Sequence, residues 1–121
     1  MRTGHLLNTR SLPAAYEYLR STPPFHRWNM PHADHVVFLV ISRPDFYGVY
    51  TRVLRTKDHE IQISIRRVGT TETLIETMAH EMVHLSQDQD GTDTPGAEHN
   101  ADFWRRWRIV SRFHGFDPKA L

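Results

Sequence analysis

The sequence predicts one α+β domain spanning residues 1–121, and three observations carry that reading. A length of 121 residues holds one compact core and leaves no room for a second folding unit. Between Val36 and Arg67 lie three segments rich in aliphatic, β-branched and aromatic residues, separated by turn-forming clusters. From Thr70 to Asp90 the chain then runs without Gly or Pro, which suits a long helix.

Each element follows from its own signals. Ser11-Leu12-Pro13 begins a short first helix, Ala14, Ala15, Tyr16 and Leu19 continue it, and Pro23-Pro24 stops it. Val36–Ile41 is apolar throughout, the pattern of a strand covered on both faces, and is expected at the centre of the sheet. Arg43-Pro44-Asp45 turns into a second strand over residues 46–54, with Gly48 read as a bulge. A turn at 56–59 leads to a third strand, 60–67, in which Ile61, Ile63 and Ile65 alternate with Gln62, Ser64 and Arg66. Short turns between all three predict a three-stranded antiparallel sheet. Thr73 and Glu76 fit a capping box for the long helix, expected to reach about Gln89. Thr94 and Pro95 fit the N-cap and first position of a last helix that carries Phe103, Trp107, Val110 and Phe113 and ends near Gly115.

Composition removes several function classes. An apolar fraction of 39% with 24% charged residues describes an ordinary globular chain, and no apolar run approaches the roughly 18 residues of a membrane span. Residues 1–13 lack the apolar block of a secretory signal, so a cytoplasmic setting is expected, bacterial or, for a phage-encoded chain, that of the host. A net charge of +1 gives no default for nucleic-acid binding. With no cysteine, any metal must sit on imidazole and carboxylate. Nine histidines supply the candidates. Of these, His5, His26, His32, His35 and His59 share no short spacing, and most of them read as surface residues.

The chemistry lies in His80-Glu81-Met82-Val83-His84. Four residues of separation on a helix put both imidazoles on one side, able to share one zinc ion. Leu74, Met78, Met82 and Leu85 form the apolar stripe, and the two histidines lie away from its centre, so they are not core fillers. Glu81, rotated by about 100° from His80, can lie beside a metal-bound water as general base without binding the metal. One Zn2+ per chain and hydrolysis of peptide bonds are the expectation.

A third ligand must come from further along. Asp90, Glu98, His99 and Asp102 all follow within reach. Asp90 is ten residues after His80, but Gln87 stands where such a chain needs a glycine to turn. Projected on the last helix, His99 falls on the side of Phe103 and Val110 and faces inward, whereas Glu98 falls near Arg105, Arg108 and Arg112. His99 is therefore favoured, with Glu98 its rival and Asp102 placed to orient a ligand histidine.

The segment from Leu74 to His84, followed after a loop by Glu98-His99-Asn100-Ala101-Asp102-Phe103-Trp104, resembles the SprT-like metalloprotease domains. In that family a similar helix is followed by a histidine that opens a His-Gly-x-Glu/Asp-Phe pattern. His99 to Phe103 matches it with Asn100 in the glycine's place. The resemblance implies a minimal zincin fold, a metal on three histidines, and action on proteins crosslinked to DNA. No cysteine-bearing zinc ribbon accompanies the match here.

Arg105, Arg106, Arg108 and Arg112 with Trp104, extended by Arg66 and Arg67, have the residue types that contact phosphates and stack on unpaired bases. Arg105, Arg108 and Arg112 also read as a solvated helix face. The strand carrying Ile61 to Ile65 leads into the metal helix and, as an edge, would pair with an extended substrate. The expected partners are a protein substrate and, on the arginine face, DNA, with no membrane and a monomer as the simplest assembly. Two other readings stand beside this one: a regulatory metallopeptidase resembling the IrrE group with Glu98 as third ligand, and a metal or DNA module without turnover.

Overall fold

The structure, a computed structural model, describes residues 6–119, so His5 lies outside the described residues. It is α+β, with helices α1 (Ser11–Arg20), α2 (Thr71–Asp90) and α3 (Ala101–His114) and strands β1 (Val36–Ile41), β2 (Gly48–Arg52) and β3 (His59–Ser64). The first helix forms where proline and alanine predict it. Asn8 Oδ1 accepts from the Arg10 and Ser11 amides, and Leu12, Ala15, Tyr16 and Leu19 are buried.

The sheet corrects the predicted meander. Strand order is β1-β3-β2, with β1 parallel to β3 and β2 antiparallel to it. The centre is therefore β3, where Ile61, Ile63 and Ser64 are fully buried, and not β1, where Val37, Leu39 and Val40 are about 40% exposed. An unbroken apolar run has the same appearance at an edge as at a centre. Ser64 fixes the crossover. Its hydroxyl accepts from the Arg43 amide and donates to the Arg43 carbonyl, and its amide donates to the Tyr47 carbonyl, so the 42–47 loop is carried over the end of β3.

Gly48 is not a bulge, since its register with Ile63 continues without a break to Arg52 and His59. A Cβ there would stand 2.9 Å from the Gln62 carbonyl oxygen and 3.0 Å from the Thr77 methyl. Glycine thus lets β2 close onto α2.

The head of α2 also lies earlier than the capping-box reading. Thr70 accepts from the Thr73 amide at 3.1 Å, and Gly91, with φ +74°, ends the helix in the left-handed conformation that glycine adopts without strain. From Thr77 to Gln87 only His84 is not buried, because α1, the sheet and α3 enclose this stretch.

The last helix starts later than Thr94-Pro95 suggests. Asn100 is its N-cap, accepting from the Phe103 amide at 2.8 Å, and 91–99 is a loop. Phe103, Trp107 and Val110 enter the core, whereas Phe113 faces outward.

Candidate metal centre

His80 and His84 lie one turn apart on α2, and the loop before α3 brings His99 to them. The ligand-type atoms of the three lie within 4.8 Å of one another. His80 Nε2 and His99 Nε2 are 3.3 Å apart. That is the edge of a tetrahedron whose centre is about 2.0–2.1 Å from each nitrogen, or about 3.3–3.4 Å, so the pair is spaced as two ligands of one ion. The Phe103 ring stacks on His84 at 4.6 Å and on His99 at 4.4 Å, and Trp107 meets His80 edge-on at 5.2 Å. This aromatic floor sets the planes of the rings.

Burial, followed by the neighbouring imidazoles, lowers the pKa of His80 to about 3 and that of His84 to about 4. Both are neutral at pH 7 and keep a lone pair for a cation. His80 Nδ1 is buried with no hydrogen-bond partner. With Nε2 turned toward His99, Nδ1 would carry the ring proton, so the fit to a metal ion rests on the converging nitrogens of the three rings and not on this atom.

Glu81 is 5% exposed. Burial, then the Glu98 carboxylate, pushes it up to about 8 against the opposing pull of the Tyr50 backbone. It lines the same cleft as the three histidines, a space of about 420 Å³ walled by β2 on one side and by 93–96 and Glu98 on the other.

His99 reaches the site for a reason the helical projection did not contain. It is on the loop, one residue ahead of the cap, and Asn100 holds that loop. Besides capping Phe103, Asn100 Oδ1 accepts from Gln87 Nε2 at 2.9 Å, and its Nδ2 donates to the Thr92 carbonyl and to Thr94 Oγ1, both at 2.9 Å. Gln87 comes from α2 and is fully buried. One side chain therefore ties the loop of His99 to the helix that carries His80 and His84.

The other predicted residues fall elsewhere. Glu98 is exposed on the cleft rim, outside the group of three and off the helix on which it was expected to pair with arginines. Asp90 pairs with Arg106 at 3.0 Å. Asp102 does not orient a ligand histidine: its carboxylate takes Thr92, Gln87, Arg105 and Arg106. Burial acts to raise its pKa, but the bonds from Thr92, Gln87 and Arg105 outweigh it and hold it at about 2. Arg105 is thus engaged, and Arg106, expected among the phosphate contacts, is buried in ion pairs with Asp90 and Asp102, while Arg108 and Arg112 are exposed. Trp104 is half-buried and meets His99 edge-on at 5.8 Å. Arg67 lies over the Tyr47 ring and donates to the Pro44 carbonyl. β3, being central, has no free edge for a substrate. Among the described residues the outer edge of β2 is unpaired, and it borders the cleft.

Sequence reasoning missed the polar wall. Arg52 Nη2 bonds Asp88 Oδ2 at 2.8 Å, and the Tyr50 hydroxyl meets His59 Nδ1 at 2.7 Å, so His59 is not a plain surface residue. The signal was present. Asp88 is four residues after His84 and seven after Glu81, which puts all three on one helix face. Tyr50 and Arg52 share a strand face with Gly48 by alternation. No protein-family model and no curated protein matches the chain, so its function is read from these residues themselves.

Proposed function

We propose that this protein is a zinc-dependent endopeptidase with the minimal zincin arrangement of the SprT-like domains. The observation that carries the reading is the convergence of His80, His84 and His99 within 4.8 Å, on the same cleft as Glu81. Those three histidines would hold the ion. Bound there, it supplies Lewis acidity toward a water and a carbonyl.

The chain's own groups do the rest. Glu81 accepts the proton of the attacking water and passes it to the departing amine. Burial raises its carboxyl to about 8 in the metal-free chain, and beside a cation held by the histidines it would fall back toward its ordinary range, which favours the base form. The unpaired edge of β2 hydrogen-bonds an extended chain and lays it across the histidines.

The nucleic-acid part of the reading rests on α3. Arg108 and Arg112 are exposed, and among the described residues neither has an acidic partner. DNA that brings crosslinked or bound protein to the cleft would engage this face. Its test is the salt dependence of single-stranded DNA binding, which the double variant Arg108→Ala/Arg112→Ala should flatten.

The deciding experiment pairs metal content with turnover. One zinc per chain, lost in His80→Ala, His84→Ala and His99→Ala but kept in Glu98→Ala, supports the site. Proteolysis abolished in Glu81→Gln with zinc retained supports the mechanism. Folded, zinc-supplemented protein without metal would refute the proposal, and a Glu81→Gln variant as active as wild type would refute the role of Glu81. Zinc bound without any turnover would leave a binding module. Loss of zinc in Glu98→Ala would favour the IrrE-like reading.

A further inference from the structure

Beside the three histidines, away from the polar wall of Arg52 and Asp88, a second recess of about 150 Å³ opens onto His80, Glu81 and His99. Its remaining walls are Phe46, Tyr47, Gly48 and Thr77. Thr77 turns its methyl toward Gly48, while its hydroxyl is buried and makes no hydrogen bond. The walls away from the histidines are therefore two aromatic rings, a methyl and a bare backbone. No charged side chain other than Glu81 lines the recess.

The recess is built rather than incidental. The Arg43 guanidinium lies 5.2 Å from the Phe46 ring centre and that of Arg67 lies 4.4 Å from the Tyr47 ring centre, so both rings are held by cations. Ser64 donates to the Tyr47 carbonyl at 2.8 Å and fixes the backbone between the rings and β3. At Gly48 a Cβ would run into the Gln62 carbonyl and the Thr77 methyl, so bare backbone forms this part of the lining. An apolar cavity of about 150 Å³ accepts a benzene ring, so aliphatic and aromatic side chains both fit this volume.

We infer that this recess receives an apolar side chain next to the cleaved bond, making the substrates peptides with a leucine-, methionine- or phenylalanine-like residue there. The inference rests on the peptidase reading above and adds the substrate class. A chain laid along β2 with one carbonyl at the histidines has one neighbouring side chain at this recess, while the wider polar arm lies on the other side. An apolar group excludes water from the recess, whereas a charged one loses its hydration without a partner.

Two measurements test it on the full, zinc-loaded chain. Mapping cleavage sites in a peptide library should show one position beside the cut enriched about tenfold or more in Leu, Met, Ile or Phe over Asp, Lys and Gly. Phe46→Ala, which removes a half-buried wall, should lose most of that enrichment, with its melting temperature showing that it folds. By calorimetry, 4-methylpentanohydroxamate should bind about tenfold or more tightly than acetohydroxamate, and Phe46→Ala should remove the difference. Cleavage without side-chain preference, or equal affinity for the two hydroxamates, overturns the inference. A library left uncut overturns the peptidase reading instead, and the hydroxamate pair then decides the recess by itself.

Discussion

Replacing Asn100 should separate the stability of α3 from the placement of His99. Asn100→Ala removes an N-cap worth about 1 kcal/mol. It also removes the bonds to Gln87, Thr92 and Thr94, each contributing about 0.5–1.5 kcal/mol and less where water can replace them. A loss of about 2–3 kcal/mol in the metal-free protein is expected, read from urea unfolding. Asn100→Asp keeps an acceptor for the Phe103 amide and for Gln87, and aspartate caps as well as asparagine. Thr94 can turn its hydroxyl to donate, but the Thr92 carbonyl then faces an oxygen and the loop is pushed off α2. Stability should therefore stay within about 1 kcal/mol of wild type while zinc affinity, measured by competition with a chromophoric chelator, falls about tenfold or more. Unchanged zinc affinity in both variants would refute the clamp: Asn100 would then serve the helix alone.

Other substitutions probe the frame around the site. Arg106 is buried between Asp90, Asp102 and Ser86, so Arg106→Ala leaves the Asp102 carboxylate short of a partner. It should cost about 3 kcal/mol or more, and a loss under about 1 kcal/mol by urea titration would count against that account. Gly48→Ala drives a Cβ to 2.9 Å from a carbonyl oxygen and should destabilise by about 1–3 kcal/mol, with shifted amide resonances along β2; a neutral outcome would mean that β2 moves freely. Without metal, Glu81 carries a folded-state pKa of about 8 against an unfolded value of 4.5, so the folded chain holds a proton that the unfolded chain releases. Wild type should lose stability relative to Glu81→Gln as pH rises from about 4.5 to 8, and a gap that stays constant with pH would show that Glu81 is solvated.

The helices and the meeting of His80 with His84 were legible because their signals are local. Prolines bound α1, Gly91 ends α2, and His80 and His84 need only helical spacing to meet. The sheet order was not legible, since it depends on Ser64 gripping Arg43 and Tyr47, residues about twenty positions away in sequence that no periodicity joins. The start of α3 was obscured in a different way. Thr94-Pro95 has the composition of a helix start, and the true cap, Asn100, looks like an interior residue until its bonds to Thr92, Thr94 and Gln87 are known. His99 was still found, because it precedes Phe103 by four residues and stacks on it at 4.4 Å whether or not the helix has begun.

The edge position of β1 bears on how the protein behaves when it is not fully folded. Val36–Ile41 is six uncharged residues, mostly β-branched, and among the described residues nothing pairs with its outer edge. Such a segment is a template for cross-β stacking between chains. Asp34 on one side and Arg43-Pro44 on the other limit the template to its own length, since charge repels stacked copies and proline cannot extend a ladder. Because β1 is held through its parallel pairing with β3, its release exposes both edges at once. Heating should therefore lead to insoluble assemblies seeded at this strand, while the histidine cleft across the sheet has no share in their growth.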